Sequence, residues 1–404
     1  MMKILMVHNE YKSKGGEDTV LTSEINMLKK MGNEVILYIE SNSNINQNNK
    51  IQMVKTGINT IWSVSSFKKF RKILAELKPD IIHVHNTFPI ISPSIYKAAK
   101  VQKIPLVQTL HNYRLVCSNG LLLKNGLPCE KCVGKKIPFE SLKNRCYKDS
   151  LTGTFAINAM QVINKSTGNY NKNVDAYICL TEFAKNIMVR DGFPKEKLFV
   201  KPNFLNEDNS KLIENNLKLS PEKNNNFVFV GRVSKEKGIN DILEAFEEID
   251  QSSFSLTIIG DGPEKSILEE KYGNNQNIIW KGWIENEKVK EEIAKNNFLV
   301  MGSKWYEGFP MVLLEAMSLG KPVIVPNHAG FPEIVTSETG MLFKPNDIKS
   351  LKNTLQIAIN QSEFDFQNMS IKSKEIFKLK YTSKQNYSEL LEIYQSAING
   401  KDGR

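Results

Sequence analysis

Apolar residues in this chain come in short unbroken runs, separated by stretches in which apolar positions recur every three or four residues. The runs at residues 3–8, 34–39, 81–85, 105–109 and 176–180 predict buried strands, and the helical spacing over 17–30 and 182–190 predicts helices between them. A second series has runs at 227–230, 256–259, 278–280, 298–301 and 323–325. Unbroken apolar strands alternating with helices imply parallel sheets covered on both faces. Two such series predict two Rossmann-like α/β domains, with ligands beyond the carboxyl ends of the strands. The polar stretch 207–226 predicts the linker, the polar segment 41–50 a loop, and residues 384–397 an amphipathic final helix. No internal repeat is legible beyond the shared strand–helix grammar.

Composition narrows the class. A chain of 404 residues is too long for one ordinary core and fits two domains of about 200 residues each. Hydrophobic content of 41% and charged content of 24% describe a soluble globular protein. No apolar run approaches the roughly 20 residues that span a bilayer. Met1-Met2-Lys3-Ile4-Leu5-Met6-Val7 is too short for a signal peptide and runs into the first strand, so a cytoplasmic location is expected. A net charge of +10 fits anionic lipid, nucleic acid or phosphorylated substrates as partners, and genomic bias toward Lys explains part of it.

The densest chemistry lies in Trp305-Tyr306-Glu307-Gly308-Phe309-Pro310, which leads into an apolar helical run carrying Glu315. Pro310 suits the first turn of that helix, and Gly308 lets a ligand approach the backbone. Unpaired N–H groups at a helix start attract negative charge. Carboxylates beside them suit a ligand with both hydroxyls and phosphates, as a sugar nucleotide has. The alternative is a loop glutamate and a solvated helical one. The segment Glu307 to Glu315 resembles the Glu-x7-Glu element of glycosyltransferase family 4, and pieces similar to that family follow in order from Met6 to Gly340.

That resemblance implies a GT-B fold, two Rossmann-like domains whose parallel sheets face a central cleft. Residues 1–205 would form the acceptor domain, with a cysteine-containing insertion over 112–150. Residues 206–380 would form the nucleotide-sugar domain, and 381–404 a helix crossing back. It implies that Glu307 meets the donor sugar hydroxyls, with Gly308, Phe309 and Pro310 beside it, and that Glu315 binds the ribose. Arg232, just past the strand 227–230, and Lys237 would hold the donor diphosphate; otherwise they are solvated loop cations. The chain contains no Asp-x-Asp, so metal-independent transfer with no catalytic cofactor is expected. Gly260-Asp261-Gly262 is expected to shape the pocket wall. Trp283 and Ile284 are expected at the nucleobase, with a core tryptophan as the alternative. Asn327-His328-Ala329-Gly330-Phe331-Pro332-Glu333 resembles the family's Gly-Gly-x-Pro-Glu element, with Ala329 in place of the first glycine.

On the acceptor side, Gly15-Gly16 precedes a helix and can face donor phosphates, while Glu17 and Asp18 match the helix dipole. His111 follows the strand 105–109 in a segment resembling the family's Thr-x-His-Asp, which implies contact with the donor sugar. Asn112 replaces the usual aspartate, so a carboxylate orienting the imidazole must come from elsewhere. His85 and Asn86 are acceptor candidates. The family transfers with retention, and the departing phosphate is expected to help deprotonate the acceptor.

Two further features stand apart. Residues 67–77 place Phe67, Phe70, Leu74 and Leu77 on one helical face, with Lys68, Lys69, Arg71 and Lys72 around the rest. Such a helix lies on an anionic membrane or is an ordinary surface helix; a polyprenyl-diphosphate-linked acceptor would favour the first and a peripheral location. Cys117, Cys129, Cys132 and Cys146 read either as a structural zinc site or as reduced buried thiols, and Cys179 as core. The expected activity is a retaining glycosyltransferase acting in cell-surface polysaccharide or glycolipid assembly. A GT-B sugar-nucleotide epimerase or hydrolase is one alternative, and a zinc-containing basic nucleic-acid-binding protein is another. No recognised nucleic-acid motif supports the latter.

Overall fold

The computed structural model describes residues 1–11, 15–45, 50–206, 223–249 and 254–402. It divides into two compact units. The first comprises Met1–Leu122, Cys129–Asn203 and Asn386–Arg404, and the second Leu123–Pro128 and Phe204–Gln385.

The first unit holds a six-stranded sheet of β1 (Lys3–Glu10), β2 (Glu34–Ser41), β3 (Ile81–Val84), β4 (Leu106–Leu110), β7 (Ala176–Cys179) and β8 (Leu198–Val200). Their order is β2-β1-β3-β4-β7-β8, and every pairing is parallel. The order reverses between β1 and β3, which splays the loops after those strands apart and leaves room for a ligand at their carboxyl ends. The helix Gly16–Lys30 follows β1, with Glu17 and Asp18 in its first turn and Lys29 and Lys30 in its last, as the helix dipole favours.

The second unit repeats the plan with β9 (Asn226–Val230), β10 (Ser255–Ile259), β11 (Ile278–Gly282), β12 (Phe298–Val300), β13 (Val323–Pro326) and β14 (Gly340–Phe343). The order is β11-β10-β9-β12-β13-β14, again all parallel, with its reversal between β9 and β12. Phe227 of β9 stacks on Phe298 of β12 at 5.3 Å and meets Phe246 edge-on at 5.2 Å. Burying each such ring contributes about 1.5–3 kcal/mol. Two glycines let the loops beyond these strands close up. A Cβ on Gly238 would lie 1.9 Å from the Gly302 carbonyl oxygen, and one on Gly260 would lie 1.8 Å from that of Gly231. No other residue fits there.

The two-stranded ribbon of β5 (Leu123–Lys124) and β6 (Leu127–Pro128) turns through Asn125 and Gly126, both at positive φ. Asn-Gly is the preferred pair for such a turn.

Two local expectations change. The helix after Pro310 spans Met311–Ser318 and Pro310 is its cap, one residue before the first turn. The helix Val64–Leu77 buries Phe70 and Leu74 completely, so the centre of its apolar face packs on its own unit. Most of the stretch 207–226, expected as a linker, and part of the segment 41–50 lie outside the described residues. Among the described residues no helix is long and apolar enough to cross a membrane.

Candidate functional site

In the second unit the loops after β9 and β12 start at the sheet's reversal point. They bring Lys237 to Glu307 with Nζ 2.6 Å from Oε1. The same oxygen accepts from Ser303 Oγ at 2.7 Å and from Trp305 Nε1 at 2.9 Å. Lys237 also lies over the Trp305 ring, 5.3 Å from its centre. Glu307 is 8% exposed, and its second oxygen has no protein partner among the described residues. Three donors on one oxygen lock the side chain and leave the other free to accept from a hydroxyl. His328 donates Nε2–H to the Ser303 carbonyl at 2.9 Å, between Tyr306 and a stacked Phe331. Burial lowers its pKa, which keeps the ring neutral. Arg232 is exposed after β9 with its guanidinium unpaired among the described residues.

Glu315 sits on the second turn of the helix Met311–Ser318; burial raises its pKa, partly offset by Lys290. Trp283 is 71% exposed beyond β11, which removes the core reading and leaves a free ring face. Ile284 beside it is half-buried. Phe309 is buried against Tyr381, ring centres 5.8 Å apart, so only its backbone faces the loop. Gly260 and Gly262 sit against the backbones of Gly231 and Val233, a wall-forming position. Ala329 adopts φ +50°. That is the left-handed region, where glycine costs nothing and alanine is strained.

In the first unit a buried charge network lies beneath the carboxyl ends of β1, β3 and β4. Glu24, on the helix Gly16–Lys30, has Oε1 3.0 Å from His83 Nδ1 and 3.2 Å from His85 Nε2, and Oε2 3.3 Å from Lys201 Nζ. Burial alone would raise its pKa; Lys201 and His83 outweigh that and hold it well below the usual carboxylate range. His83 also contacts Tyr394 OH at 2.7 Å through Nδ1 and Thr109 Oγ1 at 2.8 Å through Nε2. His85 Nδ1 lies 2.9 Å from His111 Nε2. Burial depresses the His85 pKa to about 4 and takes that of His111 well below its usual value.

Among the described residues Glu24, His83 and His85 form the one group whose ligand atoms lie within 4.8 Å of one another. Its carboxylate–imidazole donor set has the chemistry to hold a metal ion. Here the Lys201 ammonium, itself buried and held by Asn386 Oδ1 at 2.9 Å, supplies the positive charge against Glu24.

Above this network Glu17 accepts from Asn86 Nδ2 at 3.3 Å. Burial, then the neighbouring Asp18 charge, raise its pKa to about 7. Tyr11 beside it is pushed up to about 12, by burial and then by Glu17. Arg114 stacks over Phe88 at 4.8 Å and Tyr147 at 5.4 Å. Gly15 and Gly16 have open space where a side chain would project.

Comparison with known proteins decides the family. Residues 14–209 match Glycosyltransferase Family 4, and residues 211–375 match Glycosyl transferases group 1. This is a GT-B glycosyltransferase, related to both families. An uncharacterized 41.2 kDa protein of the Klebsiella pneumoniae cps region is 25% identical over 85% of this chain and 86% of its own. An uncharacterized glycosyltransferase of Methanocaldococcus jannaschii is 26% identical over 90% of each. The crystal structure of Anabaena HepE with UDP and glucose matches at a TM-score of 0.64 and 16% identity, over 98% of this chain and 100% of the other.

The glycosyltransferase thus groups its candidate residues by unit. Glu307 and Lys237 meet directly, and His111, His85 and Asn86 line one depression in the first unit. The expectation that His85 touches the acceptor gives way, because His85 is buried with both ring nitrogens committed. Asn86 is also buried, its Nδ2 donating to the Asn9 carbonyl at 2.7 Å and to Glu17 at 3.3 Å. Sequence reading missed Glu24 and Lys201. Glu24 did leave a signal, since it falls on the helix stripe of Val20, Leu21, Ile25 and Leu28, where a charge demands a partner. Lys201 left none.

The four cysteines Cys117, Cys129, Cys132 and Cys146 are half-buried and form no disulfide. Burial, with Cys117, Cys146 and Cys129 adding, raises the Cys132 thiol to about 11.

Proposed function

We propose that this glycosyltransferase moves a sugar from a UDP- or GDP-sugar to a saccharide or lipid-linked saccharide acceptor, with retention, in cell-surface polysaccharide or glycolipid assembly. The observation that carries the reading is the Lys237–Glu307 pair at the reversal point of the second sheet. It sets a cation for phosphate beside a carboxylate for sugar hydroxyls. HepE's complex with UDP favours uridine over guanosine, and the cps-region relative favours polysaccharide.

In the transfer, the acceptor oxygen bonds to the anomeric carbon as the bond to the diphosphate breaks. The acceptor proton passes to the departing phosphate oxygen on the same face. Lys237 and Arg232 neutralise the charge that develops there, in place of a metal ion. Glu307 holds the sugar hydroxyls, Glu315 the ribose, and Trp283 with Ile284 the base. Gly16 turns a backbone N–H toward the phosphates, beside Gly15, whose own N–H is donated to Asp18 Oδ2. Glu17, with Asn86 behind it, takes the acceptor side.

A lipid-linked acceptor is supported by an exposed apolar surface. Ile51, Val54 and Ile58 project from the helix Lys50–Ile61, and Leu151 and Phe155 from the helix Leu151–Ser166. The two helices touch where Gly57 faces Ala156. These residues, more than the helix Val64–Leu77, offer apolar contact to a bilayer. The four cysteines we read as a structural zinc site, whose sulfurs would draw together on binding the ion.

Thermal stability against UDP-, GDP- and ADP-sugars, with Arg232→Ala and Lys237→Ala beside the parent, tests the donor site. A ligand that binds only the folded state raises Tm. A rise with one nucleotide class that both variants lose supports the reading. No rise with any donor sinks it. Free sugar or epimer formed without acceptor would instead point to a hydrolase or epimerase.

A further inference from the structure

We propose that Glu24, acting through His85, fixes the Nε2–H tautomer of His111 and so turns the His111 Nδ1 lone pair outward, as an acceptor for a sugar hydroxyl. This rests on the reading of His111 as a group that contacts sugar. Glu24 is thereby a positioning residue.

The hydrogen-bond chain determines each proton in turn. An ionised carboxylate only accepts, so His85 Nε2, 3.2 Å from Glu24 Oε1, must carry its hydrogen. A neutral imidazole protonated on Nε2 presents a lone pair on Nδ1. His85 Nδ1 lies 2.9 Å from His111 Nε2, so the hydrogen between them belongs to His111. His111 Nδ1 is then a lone pair, and no described residue pairs with it. His111 helps line a depression together with Asn112 and Arg114. The two rings are stacked at 5.1 Å and 23°, which holds the His111 plane as well as its proton.

Glu24 also reaches the same segment through His83. His83 Nδ1 lies 3.0 Å from Glu24 Oε1 and 2.7 Å from Tyr394 OH, and His83 Nε2 lies 2.8 Å from Thr109 Oγ1, two residues before His111. Lys201 keeps the carboxylate charged, and Tyr394 packs on His83 from the last helix. The role that a neighbouring aspartate would take at Asn112 is thus supplied from below, two side chains away. Burial keeps both His85 and His111 neutral at ordinary pH, so the chain of lone pairs is not interrupted by a second proton.

The chain's five histidines make the tautomers measurable by nitrogen-15 NMR of histidine-labelled protein, with His111 assigned from His111→Gln. The expected parent spectrum shows His111 protonated on Nε2. In Glu24→Gln, and in the double variant Glu24→Gln/Lys201→Met that leaves no buried cation unpaired, His111 should shift to mixed or Nδ1–H character. Transfer should fall about 10- to 100-fold in kcat with the donor KM little changed, as loss of an orienting partner does. A parent His111 protonated on Nδ1, or an unchanged tautomer in the folded double variant, overturns the relay. Full transfer by His111→Ala would remove the sugar-contact role instead, and the NMR result would still decide the relay.

Discussion

Lys237 Nζ and Glu307 Oε1 stand 2.6 Å apart although 70 residues separate them in the chain. The pair exists because β9 and β12 are neighbours at the reversal of the sheet, and Gly238 and Gly302 let their following loops pack backbone to backbone. On the proposed reading, removing Lys237 takes away charge beside the leaving diphosphate. Lys237→Ala should lower kcat by about 100- to 1000-fold, the range for losing one such donor. Glu307→Gln should instead weaken use of the sugar while nucleotide-diphosphate binding persists. Steady-state kinetics with product-inhibition constants separate the two, and equal losses in both variants would argue against the division of roles.

Ala329 holds a left-handed backbone at φ +50°. Alanine there costs about 1–2 kcal/mol, against the roughly 0.4–1 kcal/mol that glycine loses in the unfolded chain. Ala329→Gly should therefore stabilise the fold by about 0.5–1 kcal/mol. Calorimetry checks this, and a lower Tm would show that the surrounding loop depends on the methyl group.

Glu17 carries a pKa of about 7 in the folded protein against 4.5 ordinarily. Its folded value is raised, so ionisation costs stability above pH 7, and the cost disappears as pH falls toward 4.5. Glu17→Gln should be more stable than the parent above pH 7, by roughly 1–3 kcal/mol, with the difference vanishing near pH 4.5. His85 has the opposite sign. Its folded pKa of about 4 lies below 6.5, so the stability due to the neutral ring is lost as pH falls from 6.5 to 4. Denaturant titrations across that range resolve both, and a pH-independent Glu17→Gln difference would place the carboxyl in solvent.

The cysteine reading predicts about one zinc ion per chain by elemental analysis. Chelation, or Cys132→Ser, should release it and lower Tm. A metal-free preparation whose four thiols react freely with a thiol reagent would establish the reduced-thiol alternative.

The sequence by itself determined the elements and their class. Unbroken apolar runs such as residues 4–7 and 227–230 can satisfy their backbones and side chains only in buried parallel strands, so both sheets were legible before any pairing was known. The positions of His111, Arg232 and Glu307 in the loops after their own strands were legible for the same local reason. Tertiary structure decided which distant side chains share a proton or a charge. Glu24 meets His85 across 61 residues and Lys201 across 177, and His83 meets Tyr394 across 311. Periodicity tells only that a residue faces inward. The partner it finds there depends on strand order and on where the last helix packs, and these are settled by the burial of the whole unit at once.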